Sequence, residues 1–446
     1  MRVDVDLKND EIILKVKENH HDNPEVYEME QEAFQEDAFV AEQEDDGNAD
    51  VPQKELRKKK KKALLEFRCK MEDAILGDYL LGESNYSSPQ DLSKAKEELR
   101  NISLWGVPLL PSRAHEGTDM VLLKFLKAKD YKVSDAFEML QRTLLWRRKF
   151  RADEVLHEKM NSDLENVMQM TGKDKQGRPV CYNAFGVLRD KRTYGPEFDT
   201  DEKCEDFLRR RIQCVEMDIQ KLIFKPGGPD KIVQVMDLKN LPGQGTKRLL
   251  INKKLNILLQ DHYPEIIHRN IIINAPFWYY ASHACMAKFL TQRFKSKFIF
   301  ARSGRATETL LKYITPENLP FQYGGLMRDN DQEFSSADNV LELSIKVNGS
   351  NRIQIPIANE GVTVVWDAMV VGKEVTYKEE FIPDDEGSYK ILIQKEKKLG
   401  QGIRNSFYIN EPGKIVVTIN NSTLKKKKVF YRFKSKPTVP VYILCK

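Results

Sequence analysis

The side chains that most often perform catalysis occur in this chain, but not at the spacings that catalysis requires. The seven histidines include no HExxH pair, which would place two zinc ligands on one helix face. No Gly-x-Ser-x-Gly turn presents a nucleophilic serine, and the six cysteines include no CxxC pair. Residues 243–247 lack the Gly-Lys-Ser/Thr ending of a phosphate-binding loop. We therefore expect no enzymatic activity, no cofactor and no metal site.

Lysine and arginine supply the chemistry that the composition does favour, which is the binding of anions. The chain carries 72 Lys and Arg against 67 Asp and Glu, a net charge of +5. Residues 1–56 carry 18 acidic and 5 basic side chains, so the other 390 residues have a net charge of +18. A body this basic suits a membrane surface or a nucleic acid. The acidic arm, residues 1–56, shows no sustained apolar period and is predicted to be disordered.

Two lysine-rich runs contain the densest positive charge. Residues 57–62 are predicted to be the exposed start of a helix, while a nuclear signal and a membrane patch remain alternatives. The second run enters a strand, where alternation cannot bury four successive cations. It either discourages an edge strand from pairing or makes a second contact with anionic lipid. This second run consists of Lys425, Lys426, Lys427 and Lys428.

A nucleic-acid partner is not expected from these runs. Recognition of nucleic acid would require aromatic side chains interleaved with cations on one strand face, or a recognition helix. The cations at residues 209–211 lie in neither context and are predicted to face solvent on a crossover helix.

Residues 276–294, here called the gate segment, are apolar around nearly the whole circumference of a helix. Such a helix must be buried in a core or lie in contact with lipid. Taken alone, the pattern favours an ordinary core helix. The apolar side chains that would contact acyl chains in the lipid interpretation are Phe277, Trp278, Tyr280, Met286, Phe289, Leu290 and Phe294.

The elements that must position these residues follow from periodicity. Residues 119–144 show two helical repeats, which predict a hairpin of amphipathic helices. Short apolar runs then alternate with helical stretches, and this order predicts right-handed crossovers and a mostly parallel sheet. The strands are expected at residues 179–184, 232–238, 271–275 and 298–301, and the helices near 202–224, 246–262 and 277–293. Beyond residue 335, period-two strands between turn residues predict an antiparallel β-sandwich.

The sequence also indicates the cellular compartment and the relation of the chain to membranes. No run of eighteen apolar residues occurs, and the first residues lack the apolar core of a secretory signal. The cysteines show no disulfide framework, which favours a reducing cytosol. We expect a cytoplasmic protein whose membrane contact is peripheral.

Several short motifs in order carry a family resemblance. They are residues 177–180 (Gly-Arg-Pro-Val), 236–239 (Met-Asp-Leu-Lys), 263–265 (Tyr-Pro-Glu), 270–276 (Asn-Ile-Ile-Ile-Asn-Ala-Pro), 317–320 (Glu-Asn-Leu-Pro) and 323–325 (Tyr-Gly-Gly). This series resembles the CRAL-TRIO family, and residues 363–367 (Thr-Val-Val-Trp-Asp) resemble a GOLD domain. A CRAL-TRIO domain followed by GOLD behind an acidic arm resembles the patellins.

The resemblance implies a domain order and a lipid pocket. We expect an α/β CRAL-TRIO domain, with an N-terminal helical hairpin and a mostly parallel sheet, followed by an all-β GOLD sandwich. The predicted boundaries are 1–56 for the acidic disordered arm, 57–118 for a basic helix and linker, 119–165 for the CRAL-TRIO N-terminal helices, 166–330 for the lipid-binding domain and 335–446 for the GOLD β-sandwich. In this family the gate segment closes over the acyl chains of one lipid.

The resemblance also implies a site for an inositol phosphate headgroup. Glu265 and Lys297 match family positions at that end of the pocket, and Lys129 stands where the family usually has arginine. Lysine keeps the charge but loses the bidentate fork. Hydroxyl side chains that serve phosphatidylcholine elsewhere in the family are replaced by Met170, Cys181, Ile232 and Gln234, so phosphatidylcholine is not an expected ligand.

These implications lead to one expected function and two alternatives. The expected function is a cytosolic phosphoinositide carrier in membrane trafficking, which patellin resemblance places at cell-plate formation during cytokinesis. Its partners would be phosphoinositides, an anionic membrane surface and trafficking proteins that bind the GOLD domain. The alternatives are a carrier of a neutral isoprenoid lipid and an adaptor that acts mainly through the GOLD domain.

Overall fold

The computed structural model describes residues 3–8, 11–16, 51–82, 89–159, 168–184, 200–241, 246–302, 304–372 and 374–438. The chain divides into two compact units. The first contains residues 1–170 and 178–300, and the second contains residues 171–177 and 301–446.

The predicted acidic arm contains one described strand pair. Strand β1 (Val3–Lys8) pairs antiparallel with β2 (Glu11–Val16). The structure thus has strands, and a helix from residue 51, in parts of the arm predicted to be disordered. Residues 17–50 lie outside the described part of the chain, so for them disorder stays a prediction.

Four helices form the N-terminal part of the first unit. They are α1 (Val51–Leu76), α2 (Pro89–Arg100), α3 (Thr118–Ala128) and α4 (Val133–Phe150), with the short strands β3 (Ser103–Leu104) and β4 (Val107–Pro108) between α2 and α3. The predicted hairpin is the pair α3 and α4. The boundary predicted at residue 119 placed the basic helix outside the CRAL-TRIO N-terminal helices. In the structure, Phe67 and Met71 of α1 are fully buried in the same core as Leu122 and Phe125 of α3.

The predicted mostly parallel sheet is confirmed. Its five strands lie in the order β5-β6-β7-β8-β9, and β6 to β9 pair in parallel. The strands are β5 (Met168–Lys173), β6 (Pro179–Ala184), β7 (Ile232–Asp237), β8 (Ile267–Ile273) and β9 (Phe298–Phe300). The crossovers contain α5 (Asp201–Ile219), α6 (Thr246–His262), α7 (Phe277–Ala287) and α8 (Gln292–Lys295).

The second unit contains α9 (Ala306–Tyr313) and the predicted sandwich, which is also confirmed. Its two antiparallel sheets have the orders β10-β17-β12-β15 and β11-β16-β13-β14. The strands are β10 (Leu341–Ile345), β11 (Gly349–Ile357), β12 (Val362–Val370), β13 (Val375–Pro383), β14 (Ile391–Lys398), β15 (Gly402–Ile409), β16 (Gly413–Asn421) and β17 (Lys427–Pro437). Trp366 is buried between the sheets and donates its indole N–H to Glu379 Oε1 at 2.9 Å.

A buried ion network joins the sandwich to the segment before it. Asp367 of β12 is fully buried, and its carboxylate contacts Arg404 at 2.5 Å, Arg432 at 3.3 Å and Arg328 at 3.2 Å. Asp331 accepts two further hydrogen bonds from Arg404. Because Arg328 and Asp331 precede residue 335, the sandwich is held by side chains outside its predicted boundary.

Candidate functional site

A buried carboxylate in contact with three cations is the centre of the first unit's candidate site. Glu265 is 5% exposed. Its Oε1 lies 3.0 Å from Lys297 Nζ and 2.8 Å from Arg293 Nε, and its Oε2 lies 3.5 Å from Lys231 Nζ. These four residues are called the Glu265 cluster below.

The sheet explains why residues distant in sequence meet here. Lys231 directly precedes β7, Glu265 lies two residues before β8, and Lys297 directly precedes β9. Neighbouring parallel strands begin at the same edge, so these residues share one end of the sheet. The backbone N–H of Asn270 donates to the carbonyl of Lys297 at 2.7 Å and fixes the last pair of strands.

Tyr263, the first residue of the Tyr-Pro-Glu motif, anchors the turn that contains Glu265. The hydroxyl of Tyr263 donates to Glu216 Oε1 at 2.5 Å, and Arg147 donates to the same oxygen. All three side chains are buried. Glu265 itself has a φ of 56°, a left-handed backbone conformation that is unusual for a residue other than glycine. The motif therefore anchors a tight turn that directs the carboxylate toward the cations.

The electrostatics of the Glu265 cluster favour a bound anion. Burial opposes ionisation of Glu265, but Lys297, Arg293 and Lys231 outweigh it and hold the pKa of that carboxyl well below its usual range. Burial lowers the pKa of Lys297, against the raising effect of Glu265. One carboxylate balances only one of three cations, so the cluster retains a net positive charge near neutral pH.

Further cations of α3 lie close to the cluster. Lys124 is 2% exposed and donates to Asp230 Oδ2 at 2.8 Å and to the carbonyl of Glu265 at 3.1 Å. Burial lowers the pKa of Lys124 to about 8, although Asp230 raises it. Burial and the nearby charge of Lys231 also lower the pKa of Lys127.

His268, at the beginning of β8, is held neutral mainly by its burial. Burial and the charges of Arg178, Arg269 and Lys231 lower the pKa of His268 to about 2. The neighbouring cations add to this effect, but burial is the larger cause.

The gate segment is not the single helix that was predicted near residues 277–293, because α7 ends at Ala287 and α8 begins at Gln292. It has packed and exposed aromatic side chains. The ring centroid of Tyr280 lies 5.1 Å from that of Phe300, and Leu290 and Phe294 are buried. Phe277, at the start of α7, is 59% exposed, and Phe289, in the connection between α7 and α8, is 46% exposed. Trp278 and Met286 are half-buried. An ordinary core helix would bury its aromatic side chains, so this distribution fits a segment that meets an apolar partner.

Lys253 of α6 contacts one of these exposed side chains. Its Nζ lies 3.4 Å from the ring centroid of Phe289, a cation–π contact. The exposed part of the gate segment thus combines aromatic rings with a cation. Within the described part of the chain, no helix is long and apolar enough to cross a membrane.

Three family models match consecutive parts of the chain. The CRAL/TRIO N-terminal domain matches residues 54–142, and the CRAL/TRIO domain matches residues 165–325. The Patellin-1-like C-terminal GOLD domain matches residues 346–427. Patellin-6 of Arabidopsis thaliana is 40% identical over 366 residues, which are 80% of this chain and 88% of that protein. The chain belongs to the patellin family.

Other comparisons define the extent of this relationship. Patellin-4 of the same plant is 48% identical over 341 residues, which are 76% of this chain and 62% of that protein. The chain thus spans less than two thirds of Patellin-4. A Kluyveromyces lactis protein named phosphatidylinositol transfer protein SFH5 is 26% identical over 214 residues, which are 46% of this chain and 68% of that protein. The crystal structure of Sfh5 covers 60% of this chain and 89% of its own, at 21% identity and a TM-score of 0.48.

The structure brings together two of the three headgroup residues expected from patellin resemblance. Glu265 and Lys297 are in direct contact. Lys129 caps the C-terminal end of α3, and within the described ranges no hydrogen bond or ion pair joins its side chain to either of them. The sequence did not predict a role at this site for Lys127, Lys231 or Arg293. The position of Lys231 directly before β7 could have indicated it, because Lys297 occupies the same place before β9, two strands further on.

The second lysine run is divided by its strand. Lys427 is buried, and Lys428 pairs with Glu342 of β10 at 2.7 Å. Lys425 and Lys426 are exposed in the turn before β17, beside Leu424, which is 82% exposed. The edge-strand interpretation is wrong, because β17 lies between β10 and β12 inside its sheet.

A buried histidine of α7 gives the site a testable pH dependence. His283 is 8% exposed against Phe298 and Phe300, and its Nε2 has no hydrogen-bond partner among the described residues. Burial lowers its pKa from 6.5 to about 4. The unfolded chain therefore binds a proton more readily, and the free energy of unfolding should fall as the pH drops from about 6.5 toward 4.

Substitution of His283 by phenylalanine should remove this contribution. The difference in the free energy of unfolding between pH 7 and pH 4.5 is expected to shrink by roughly 2–3 kcal/mol. Urea denaturation of both proteins at the two pH values measures it. His262, whose pKa burial also lowers to about 4, is common to both proteins. If the difference in the free energy of unfolding between pH 7 and pH 4.5 were the same in both proteins, His283 would not be a source of the pH dependence.

Proposed function

We propose that this protein is a non-enzymatic carrier that binds a phosphoinositide, docks peripherally on membranes and acts in membrane trafficking. The observation that carries the proposal is the Glu265 cluster, where three cations surround one carboxylate at the edge of the sheet. The relationship to a protein named as a phosphatidylinositol transfer protein supports a lipid ligand of this class. By family resemblance, the process would be cell-plate formation during cytokinesis.

The chemistry of the headgroup fits the residues of the cluster. A phosphate monoester presents three strong acceptor oxygens and nearly two negative charges at neutral pH. Arg293 offers a planar fork and Lys231 a flexible point charge, and both are more exposed than Lys297. In this proposal Lys231 and Arg293 contact the phosphate, while Glu265 and Lys297 fix the geometry. Lys129 stays a candidate for an outer phosphate.

The gate segment supplies the membrane contact in this proposal. Phe277 and Phe289 would enter the interface of the bilayer, where aromatic rings are favoured. The release of Phe289 from Lys253 would let α7 move away from the sheet and admit acyl chains. Exposed Lys425 and Lys426 are candidates for a second contact with anionic lipid from the sandwich.

Two alternatives make different demands on the Glu265 cluster. A neutral isoprenoid carries no phosphate and would leave the cluster's excess charge without a role. An adaptor that acts through the sandwich would need no ligand in the first unit. The observation that favours the phosphoinositide over both is the excess of two cations over carboxylates within the cluster.

A transfer assay with the full chain tests the proposal. Donor vesicles would contain, in turn, phosphatidylinositol 4-phosphate, phosphatidylinositol, phosphatidylcholine or α-tocopherol. We expect transfer of the inositol lipids, fastest for the phosphorylated one, and none of phosphatidylcholine. Transfer of α-tocopherol alone would support the isoprenoid carrier, and transfer of none of the four would support the adaptor.

A further inference from the structure

The first turns of α1 carry six successive cations that packing within the protein does not explain. Residues 57–62 are all exposed, and from residue 55 onward the first buried side chain of the helix is Ala63. Successive helical residues are about 100° apart, so six of them surround the helix on every side. Within the described residues none of the six takes part in an ion pair, whereas Arg68 of the same helix pairs with Asp119. This end of α1 therefore projects from the core with a charge of +6.

Contacts connect this basic end of α1 with the Glu265 cluster. The Nζ of Lys60 lies 5.4 Å from the ring centroid of Tyr131, in the turn between α3 and α4. The helix that leads into this turn, α3, also reaches the cluster, because Lys124 donates to the backbone carbonyl of Glu265 at 3.1 Å. Helix α3 and the turn that follows it thus contact both basic regions.

Apolar side chains accompany the cations on this helix. Leu56 is 47% exposed and Leu65 is 55% exposed, one on each side of the run. Lysines around exposed leucines are typical of helices that lie at the interface of a bilayer with anionic lipid. Within residues 57–62 there is no aromatic side chain on which a nucleic-acid base could stack.

We propose that residues 57–62 and the Glu265 cluster form one docking surface for an anionic bilayer. The inference rests on the proposed function, because the cluster would bind the headgroup of one lipid while α1 binds the surrounding anionic lipids. Such docking would place the headgroup site against the membrane from which the lipid is taken. The attraction should weaken steeply with salt, since exposed charges are screened within about 8 Å at physiological ionic strength.

The test is co-sedimentation of the full chain with vesicles of equal parts phosphatidylcholine and phosphatidylserine. The variant replaces Lys58, Lys59, Lys61 and Lys62 with glutamine, which preserves helix propensity, and keeps Lys60 against Tyr131. Each lysine near such a surface contributes about fivefold, so at physiological ionic strength binding should weaken at least about tenfold. Binding of soluble short-chain phosphatidylinositol 4-phosphate should not change.

A matched control separates the position of the charge from its amount. Glutamine at Lys390, Lys395, Lys397 and Lys398, all exposed at β14, removes the same charge and should leave vesicle binding intact. Equal loss in both variants, or no loss in the α1 variant, overturns the inference. So does a loss of duplex DNA binding by the α1 variant with vesicle binding retained. Failure of the wild type to bind the soluble lipid would overturn the proposed function instead, because phosphatidylserine binding is measured separately.

Discussion

Replacement of Glu265 by glutamine is expected to lower the free energy of unfolding by about 3–5 kcal/mol at neutral pH, because it removes one partner from a buried ion cluster. Lys297, Arg293 and Lys231 would then face one another without a counter-charge. Burial already lowers the pKa of Lys297, so its charge becomes still less favourable when Glu265 is neutral. Urea denaturation measures the change, since guanidinium would screen the charges.

A matched control is available on α4. Glu138 forms an exposed pair with Arg142, so Glu138→Gln removes the same charge and should change the free energy of unfolding by less than about 1 kcal/mol. The effect at Glu265 must also depend on pH. Its pKa is lower in the folded protein than the usual 4.5, so its stabilisation is present above that value and is lost as the pH falls further. A variant as stable as the wild type at neutral pH would contradict the ion cluster.

The second large effect concerns the ligand. The double variant Lys231→Gln, Arg293→Gln is expected to bind a phosphorylated inositol lipid at least about a hundredfold more weakly, because each hydrogen bond to a charged group contributes about 1.5–3 kcal/mol. Lys297 still pairs with Glu265 in this variant, which protects the fold. Substitution of Lys297 itself would confuse binding with stability, since that side chain is buried and pairs with Glu265.

The sequence predicts the sheet for a physical reason, whereas the pair Glu265 and Lys297 was expected from the family resemblance. Apolar runs of strand length that alternate with amphipathic helices can form few structures other than a covered parallel sheet. In the structure both residues precede neighbouring parallel strands, β8 and β9, which explains why they meet at one edge of the sheet. Arg293 could not be predicted in this way, because its position depends on how the four-residue helix α8 packs.

The gate segment and β17 show where periodicity ceases to be informative. Composition indicated an apolar surface all round residues 276–294, but it could not show that Phe277 and Phe289 are exposed while Leu290 and Phe294 are buried. Likewise, the period-two pattern identifies β17 as a strand. Its place inside the sheet depends on pairing with β10 and β12, both distant in sequence.

The ion network of the sandwich was also beyond sequence reasoning. Asp331 and Asp367 are ordinary surface residue types, and only the fold shows that Arg404 contacts both and that Asp367 is fully buried. A buried charge of this kind is stable only when it is paired. Any fragment of the sandwich that begins at residue 335 would lack Asp331 and Arg328.

The most direct test of the proposed function is isothermal titration calorimetry of the full chain with short-chain phosphatidylinositol 4-phosphate. The wild type should bind, and Lys231→Gln, Arg293→Gln should bind at least about a hundredfold more weakly. A control, Arg142→Gln, Lys225→Gln, loses two cations that form exposed pairs elsewhere in the first unit and should bind like the wild type. Equal affinity of the wild type and the Lys231→Gln, Arg293→Gln variant would contradict the assignment of the Glu265 cluster as the headgroup site.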